Sequence, residues 1–498
     1  MKYILISGGL LFSLVYLSAC FDSSFPYDDT GELQFTTDTL TFDTVFTSVG
    51  SATRFFKVVN GADQEISIDR ITLAGGQASN FRLNIDGVPT STFLENITIP
   101  AQDSIYIFAE VTVDPNNDQS PFIIYDEVLF DFNGKEQRVV LESWGQNAIY
   151  VGSKGGLGVL DCSSNPVWTS DLPYVIYGIL FLEGGTLTLD AGTRVHLHGA
   201  LIDADSFFYN DGIIFVLEDA SLVIDGTLND PVVIEGDRLE GDFDENPGQW
   251  AGVLLGAGSK GNIFTHAEIK NSIIGVRVDS LAELDLKNSI IHNTLSSNLL
   301  GYHAGKIQAE NCLFYSSSGG NNVQLEFGGD YDFRHCTMSS YSSVNQISHS
   351  SPVLRMSNFL CTSDALGCPD YIINPMNANF QNCIIYGSRA TEIAISEKEA
   401  GSGFFDYTME NCLIKMDSSE QVNVPVINAC ANCIVNKSPE FVNIHQFNYQ
   451  LDSLSSAEGK GKMGLNSVFG TGVIDQDLLE QSRNAQTENP DLGCYEKQ

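Results

Sequence analysis

Between residues 269 and 435 one short phrase returns eight times: a strand, then Asn, then Cys or Ser, then two apolar residues. Typical copies are Leu286-Lys287-Asn288-Ser289-Ile290-Ile291, Ala309-Glu310-Asn311-Cys312-Leu313-Phe314 and Met409-Glu410-Asn411-Cys412-Leu413-Ile414. The marked positions are Asn271, Asn288, Asn311, His335, Asn358, Asn382, Asn411 and Asn432, at steps of 17, 23, 24, 23, 24, 29 and 21 residues. A β-rich unit repeating at this interval is a solenoid, because no single unit can bury its own apolar face. The unit has no helical stripe and no leucine-rich consensus. That leaves a right-handed parallel β-helix with one coil per repeat.

The physics of such a coil assigns each position a place. Coils stack about 4.8 Å apart, so equivalent residues form columns. The Cys and the residue two later share one strand face. Cys312, Cys336, Cys383, Cys412 and Cys433 should therefore line the core as small buried hydrophobes. The Asn sits at the corner, where it tolerates a left-handed backbone and bonds its neighbours. The residues one and three before it face outward: Lys287, Arg334 and Glu410 in one column, Asp285, Asp332 and Arg355 in the other.

Residues 180 to 262 repeat less strictly. Gly185-Thr186-Leu187-Thr188-Leu189-Asp190 is echoed by Ala220-Ser221-Leu222-Val223-Ile224-Asp225. These lines resemble the opening coils of the bacterial right-handed β-helix repeat family, and the reading of residues 148–455 as the β-helix follows. Residues 456–498 carry Arg483 and Asp491-Leu492-Gly493-Cys494-Tyr495-Glu496. They resemble the ending of β-helix proteins of the choice-of-anchor type, and are expected to cap the exposed last coil, since open ends invite edge pairing.

Ahead of the solenoid, residues 35–147 alternate with period 2 in seven or eight short runs, such as Arg54-Phe55-Phe56-Lys57-Val58-Val59 and Ile105-Tyr106-Ile107-Phe108-Ala109-Glu110-Val111. Asn133-Gly134 between two such runs is a hairpin signal. The pattern is a β-sandwich. Val58-Val59-Asn60, Gly75-Gly76, Ile99-Pro100-Ala101-Gln102-Asp103-Ser104 and Leu141-Glu142-Ser143-Trp144-Gly145 resemble the immunoglobulin-like domains of the ASH/Hydin kind, which implies a spacer or contact module. The whole chain is thus all-β, a sandwich followed by a β-helix.

Residues 1–19 have a cationic start and an apolar run of about 14 residues, too short to span a bilayer and read as a signal peptide. Leu17-Ser18-Ala19-Cys20 resembles the lipobox of bacterial lipoproteins. That resemblance implies cleavage before Cys20, a diacylglycerol thioether on it and acylation of the new amino terminus, anchoring the protein to the outer membrane. Which side of that membrane it faces stays open. Residues 20–34 are a polar tether.

Lys and Arg number 25 against 63 Asp and Glu, a net charge of −38. Such a chain repels nucleic acid. Two functional readings remain. The favoured one is a rigid binding or scaffolding surface for a glycan or protein ligand. The alternative is a polysaccharide lyase or glycoside hydrolase acting on acidic polysaccharide, with Asp285, Lys287, Asp332, Arg334 and Arg355 supplying acids and bases on one face. That alternative rests on analogy with β-helix lyases and galacturonases. No cofactor is called for. The acidic loop 235–246 has oxygens that suit calcium, though without EF-hand spacing. Arg194-Val195-His196-Leu197-His198 is better read as a solvated strand face than as a zinc site, which lacks a third ligand. Cys361 and Cys368 are placed to bridge. Cys430 and Cys433 have C-x-x-C spacing, with no second pair at zinc-ribbon distance. Walker, Gly-x-Ser-x-Gly and His-Glu-x-x-His motifs are absent.

Overall fold

The computed structural model describes residues 32–47, 50–51, 53–113, 122–203, 208–239, 241, 243, 245–342, 348–363, 367–417, 426 and 430–497. The expected signal peptide, Cys20 and the expected tether up to residue 31 lie outside them. Two compact units divide between Asn147 and Ala148.

The first unit is a β-sandwich of two five-stranded sheets. One sheet holds Gln34–Phe35, Arg54–Asn60, Asp103–Val111, Phe81–Ile85 and Val88–Thr90 in that order. The other holds Thr39–Phe46, Lys135–Gln146, Phe122–Phe132, Ile66–Leu73 and Phe93–Ile99. The period-2 alternation turns one side of each strand inward. Phe56, Phe81, Ile107, Val128 and Phe130 form the buried seam. Asn133 and Gly134, both at positive φ, join the strands ending at Phe132 and starting at Lys135. That is the backbone a two-residue hairpin loop requires.

The second unit is a right-handed parallel β-helix whose 26 strands form one continuous hydrogen-bonded array. Its coils have three faces, each a parallel sheet. The first sheet stacks Gly185–Asp190, Ala220–Asp225, Asn262–Thr265, Glu283–Lys287, residues 306–310, 329–334, Met376–Gln381 and Phe405–Glu410. The second stacks Arg194–His198, Val232–Gly236, Ala267–Lys270, Ile290–Thr294, Leu313–Ser317, Thr337–Ser340, Ile384–Gly387, Leu413–Ile414 and Ile434–Val435. The third runs from residues 157–161 through Ile213–Val216 and Gly252–Leu255 to Leu354–Ser357 and Ile393–Ser396. Leu222, Phe264, Leu286, Phe314, Phe333, Phe380 and Met409 fill the axis.

At the corner from first to second sheet stand His266, Asn288, Asn311, His335, Asn382 and Asn411, each with its N–H bonded to the next coil, and Asn432 follows Ala431 there. All seven have positive φ, between 46° and 56°. Side chains join the column: Asn311 Nδ2 donates to Asn288 Oδ1 at 3.2 Å, and Asn382 Nδ2 lies 2.8 Å from His335 Nε2.

Two expected members are elsewhere. Asn271 ends a strand of the second sheet, where Asn293 Nδ2 donates to its Oδ1 at 2.6 Å. Its step of 17 residues is therefore less than one coil, and His266 takes its place in the column. Asn358 ends Leu354–Ser357 of the third sheet. A hairpin, Phe359–Cys361 with Tyr371–Ile373, is inserted after it. The coil from His335 to Asn382 is thus double length, and Asn358 fell near the period by coincidence.

The thiols of Cys312, Cys336, Cys383 and Cys412 are buried in one column. Each donates to the carbonyl two residues back, at 3.2–3.4 Å, and reaches a carbonyl of the adjacent coil. Ser289 does the same at the head of the column. Cys433 departs from the expected free thiol: it is disulfide-bonded to Cys430, with Cα atoms 5.6 Å apart. Cys361 and Cys368 are also bonded, in the inserted hairpin region.

The C-terminal segment does not close the last coil as expected; its described contacts run along the flank. Lys460 O and Lys462 bond Asn411 and Asn382, Gln476 O bonds Asn311, and Glu480 reaches His266. Arg483, fully buried, donates to Asn311 Oδ1, Gln476 O, Gly493 O and Glu496 Oε2. The reason is apolar area. Leu313 and Tyr315 pack on Tyr449, Leu478, Cys494 and Tyr495, and Ile384 and Leu413 pack on Leu451, Ala457 and Leu492. The second sheet is buried on both sides over these coils, inside by the axis and outside by the tail.

Candidate functional site

Of the alternative catalytic set, Asp285, Lys287, Asp332 and Arg334 share the outward face of the first sheet, and Arg355 does not. Lys287, Glu310, Arg334, Gln381 and Glu410 share one outward column of the first sheet, and Asp285, Gln308, Asp332, Asn379 and Thr408 another. Arg355 is on the third sheet, beside Gln324, with its Nε 2.6 Å from Glu326 Oε1. The misplacement follows from that of Asn358. Asp285 and Asp332 are two strand spacings apart, about 10 Å, with Gln308 between. Asp332 takes a two-pronged bond from Arg334 at 2.9 and 2.8 Å. Arg334 also donates to Asn466 O of the tail. Lys306 Nζ stands 3.8 Å from Asp285, whose carboxyl is raised by burial against the pull of that ammonium. Asp285 and Asp332 thus each stand beside a cation.

What the first sheet offers is a strip. Its two outer columns beyond the tail expose Glu283, Asp285, Lys306, Gln308, Asp330, Asp332, Asn377, Asn379, Asp406 and Thr408 at one strand spacing. Lateral bonds hold the downstream end: Asn377 Nδ2 to Asp330 Oδ1 at 3.1 Å and Thr408 Oγ1 to Asn379 Oδ1 at 2.7 Å. Carboxylates outnumber ammonium groups along it.

A second polar array escaped the sequence reading. On the outer side of the second sheet, upstream of the tail, His196, Glu235, Lys270, His292 and Tyr315 occupy one register position in successive coils. His196 was expected on a solvated face; it is 3% exposed. Its Nδ1 is 3.6 Å from Glu235 Oε1, and Lys270 Nζ is 3.0 Å from Glu235 Oε2. Burial holds the His196 imidazole below its ordinary range. Burial would also lower the Lys270 ammonium, but Glu235 outweighs it and the net direction is up. His292 Nε2 meets Glu268 Oε1 at 3.1 Å, and its ring stacks on Tyr315 at 4.5 Å. The hydrogen bond with His292 brings the Glu268 carboxyl down to about 2, against its burial. His198 Nδ1 lies 2.6 Å from Asp237 Oδ2. Charges alternate and neutralise one another, so the array holds strands together and presents little free chemistry. Aligning coils on the strand after the corner would have found it.

Among the described residues no group of three or more His, Cys, Asp or Glu is placed to hold a metal ion. In the acidic loop Arg238 stacks over Phe243 at 3.5 Å, and Gln249 donates to the carbonyls of Phe243 and Asn246. Residues 240, 242 and 244 of that loop lie outside the described set. No described helix is long and apolar enough to cross a membrane.

No family model matches this chain, and no curated protein does. Among solved structures the chain is similar to the catalytic unit of a thermostable GH87 alpha-1,3-glucanase from Streptomyces thermodiastaticus, at 9% identity over 72% of this chain and 79% of that one, TM-score 0.19. It is similar to the catalytic domain of a GH87 alpha-1,3-glucanase in complex with tetrasaccharides, at 10% identity over 77% and 90%, TM-score 0.17. It also matches a family 123 glycoside hydrolase from Clostridium perfringens at 7% identity, over 23% of this chain and only 26% of that one, TM-score 0.17. Alignments this loose carry no functional argument.

Proposed function

We propose that this is a lipid-anchored envelope protein, held at the bacterial outer membrane through Cys20, whose β-helix is a rigid surface for binding an extended glycan. The observation that carries the reading is the open polar strip of the first sheet. Its carboxylates, amides and hydroxyls repeat at one strand spacing on a backbone fixed by hydrogen bonds on both sides, an arrangement that costs little ordering on binding. The excess of carboxylates and the net charge of −38 disfavour acidic polysaccharides and favour neutral glycans. The paired state of Asp285, Asp332 and Arg334 supports binding over cleavage.

The test uses the full chain in detergent, screened against immobilised glycans. Binding is expected, weakened tenfold or more by Asn377→Ala combined with Asn379→Ala, and without release of reducing ends. Steady product release would favour an enzyme. Separately, Cys20→Ser should move the protein from the membrane fraction to the soluble fraction; retention would remove the anchor from the reading.

A further inference from the structure

The sandwich has an exposed aromatic surface that its fold does not need. On the outer side of the sheet containing Arg54–Asn60 and Asp103–Val111, Phe55 stands opposite Phe108 and Lys57 opposite Tyr106. Phe55 is 52% exposed and Tyr106 36%. The Tyr106 and Phe108 rings are parallel within 13° at 5.7 Å, and Phe55 lies 5.3 and 5.7 Å from them. Beside Phe108 opens a cleft of about 760 Å³, lined by Thr53, Arg82, Asn84, Thr90, Ser91 and Glu110 among others. That volume is in the range of small-molecule sites.

We infer that this aromatic patch and its cleft form a binding site for a short neutral oligosaccharide. Pyranose rings present one face of C–H bonds, which packs on the negative faces of aromatic rings, and a rim of hydroxyls that need hydrogen-bonding partners. The patch supplies the rings and the cleft supplies the rim. Lys57, Arg82 and Glu110 leave no strong field of either sign at the site, which suits a neutral sugar. The two cations at the site are already engaged: Lys57 Nζ sits 4.5 Å over the Tyr106 ring, and Arg82 donates to the carbonyls of Ser79 and Phe81. The remaining polar groups are acceptors. Glu110, across the strands from Arg82, is exposed and its carboxylate has no hydrogen bond or ion pair among the described residues, while Asn84 Oδ1 is buried in the cleft wall without a hydrogen-bond partner. A carboxylate at the rim accepts from sugar hydroxyls. A protein partner would instead meet a small patch interrupted by a cleft.

The inference takes its ligand class from the proposed function but places a separate site on a separate unit. The test titrates the full chain in detergent with cellohexaose, laminarihexaose, maltohexaose and mannohexaose, by calorimetry. At least one should bind. Phe55→Ala and Tyr106→Ala should each weaken it tenfold or more with unchanged melting temperature, Tyr106→Phe should retain it, and Asn377→Ala with Asn379→Ala should leave it alone. Binding that depends on Asn377 and Asn379 but not on Phe55 or Tyr106 would overturn this inference and keep the proposed function. Failure of all four sugars, with glycan binding to the strip intact, would do the same. Failure of every glycan at both places would remove both. Tighter binding of polygalacturonate oligomers, or patch-dependent capture of a protein, would overturn the ligand assigned here.

Discussion

The outer side of the second sheet is two different surfaces in one register. In the upstream coils its outward positions are mostly polar: Arg194, His196, Glu235, Glu268, Lys270 and His292, with Val233 and Ile290 between them. In the downstream coils the same positions are mostly apolar or aromatic: Leu313, Tyr315, Ile384, Tyr386 and Leu413, with Thr337 and Ser339 between them. The tail lies on the apolar half. The polar half satisfies itself with ion pairs and stacked rings. A parallel sheet must be covered on both faces or made polar on one, and this chain does each in turn. Which device a coil uses is set by one outward residue, since the inward residue is apolar throughout.

The largest effect that could break this contrast is removal of the tail. Ending the chain after Ser455 removes Ala457, Leu478, Leu492, Cys494 and Tyr495 and should partly bare Leu313, Ile384 and Leu413, each worth up to about 1.5–3 kcal/mol when fully buried. The truncated protein is expected to aggregate or to bind a hydrophobic dye when purified, while a truncation that stays monomeric with an unchanged melting temperature would show that the apolar half needs no cover. Next is Arg483→Ala. It leaves Glu496 and Asn311 without their buried partner, at about 3–5 kcal/mol, and should lower the midpoint of chemical denaturation sharply. The contrasting change Arg334→Ala, at a pair whose side chains are 18% and 22% exposed, should move the same midpoint by a smaller amount, because solvent still reaches Asp332. Equal effects would mean that the tail is not pinned at Arg483.

The smallest effect sharpens the polar half. The folded carboxyl of Glu268 is lowered to about 2 from an ordinary 4.5. A depressed carboxyl contributes stability that is fully present above the unfolded value and is lost as pH falls toward about 2. Glu268→Gln should therefore lower stability modestly at neutral pH, where that contribution is fully present, and flatten the acid limb of the stability profile between those values. A parallel acid limb in the variant would mean that the bond with His292 carries no linkage.

Much of this was legible in the residues, and the losses have physical causes. Coil architecture, the inward thiols and the left-handed corners follow from the phrase around Asn311, Asn382 and Asn411. Asn271 and Asn358 misled because three sheets share one chain, so a corner residue of any sheet can carry the same phrase. Arg355 followed Asn358 onto the wrong face. His266 was missed because it breaks the consensus while taking the same φ. The tail's true position was written in Leu313-Phe314-Tyr315 and Ile384-Ile385-Tyr386, where consecutive apolar residues mean a strand buried on both sides. Cys433 joined Cys430 because it stands in the last coil of its column, where a bonding partner lies within its own loop. The sandwich patch left little sequence signal: Phe55 and Tyr106 are ordinary strand residues until the register shows them side by side.

The way the tail is stitched to the corner column also changes how the rod can come apart. In a plain solenoid each coil touches only its neighbours, so an end can fray one turn at a time. Residues 460 to 496 instead close contacts spread from His266 to Asn411. Coils several turns apart therefore share one strap, and loosening any of them means lifting it from the others as well.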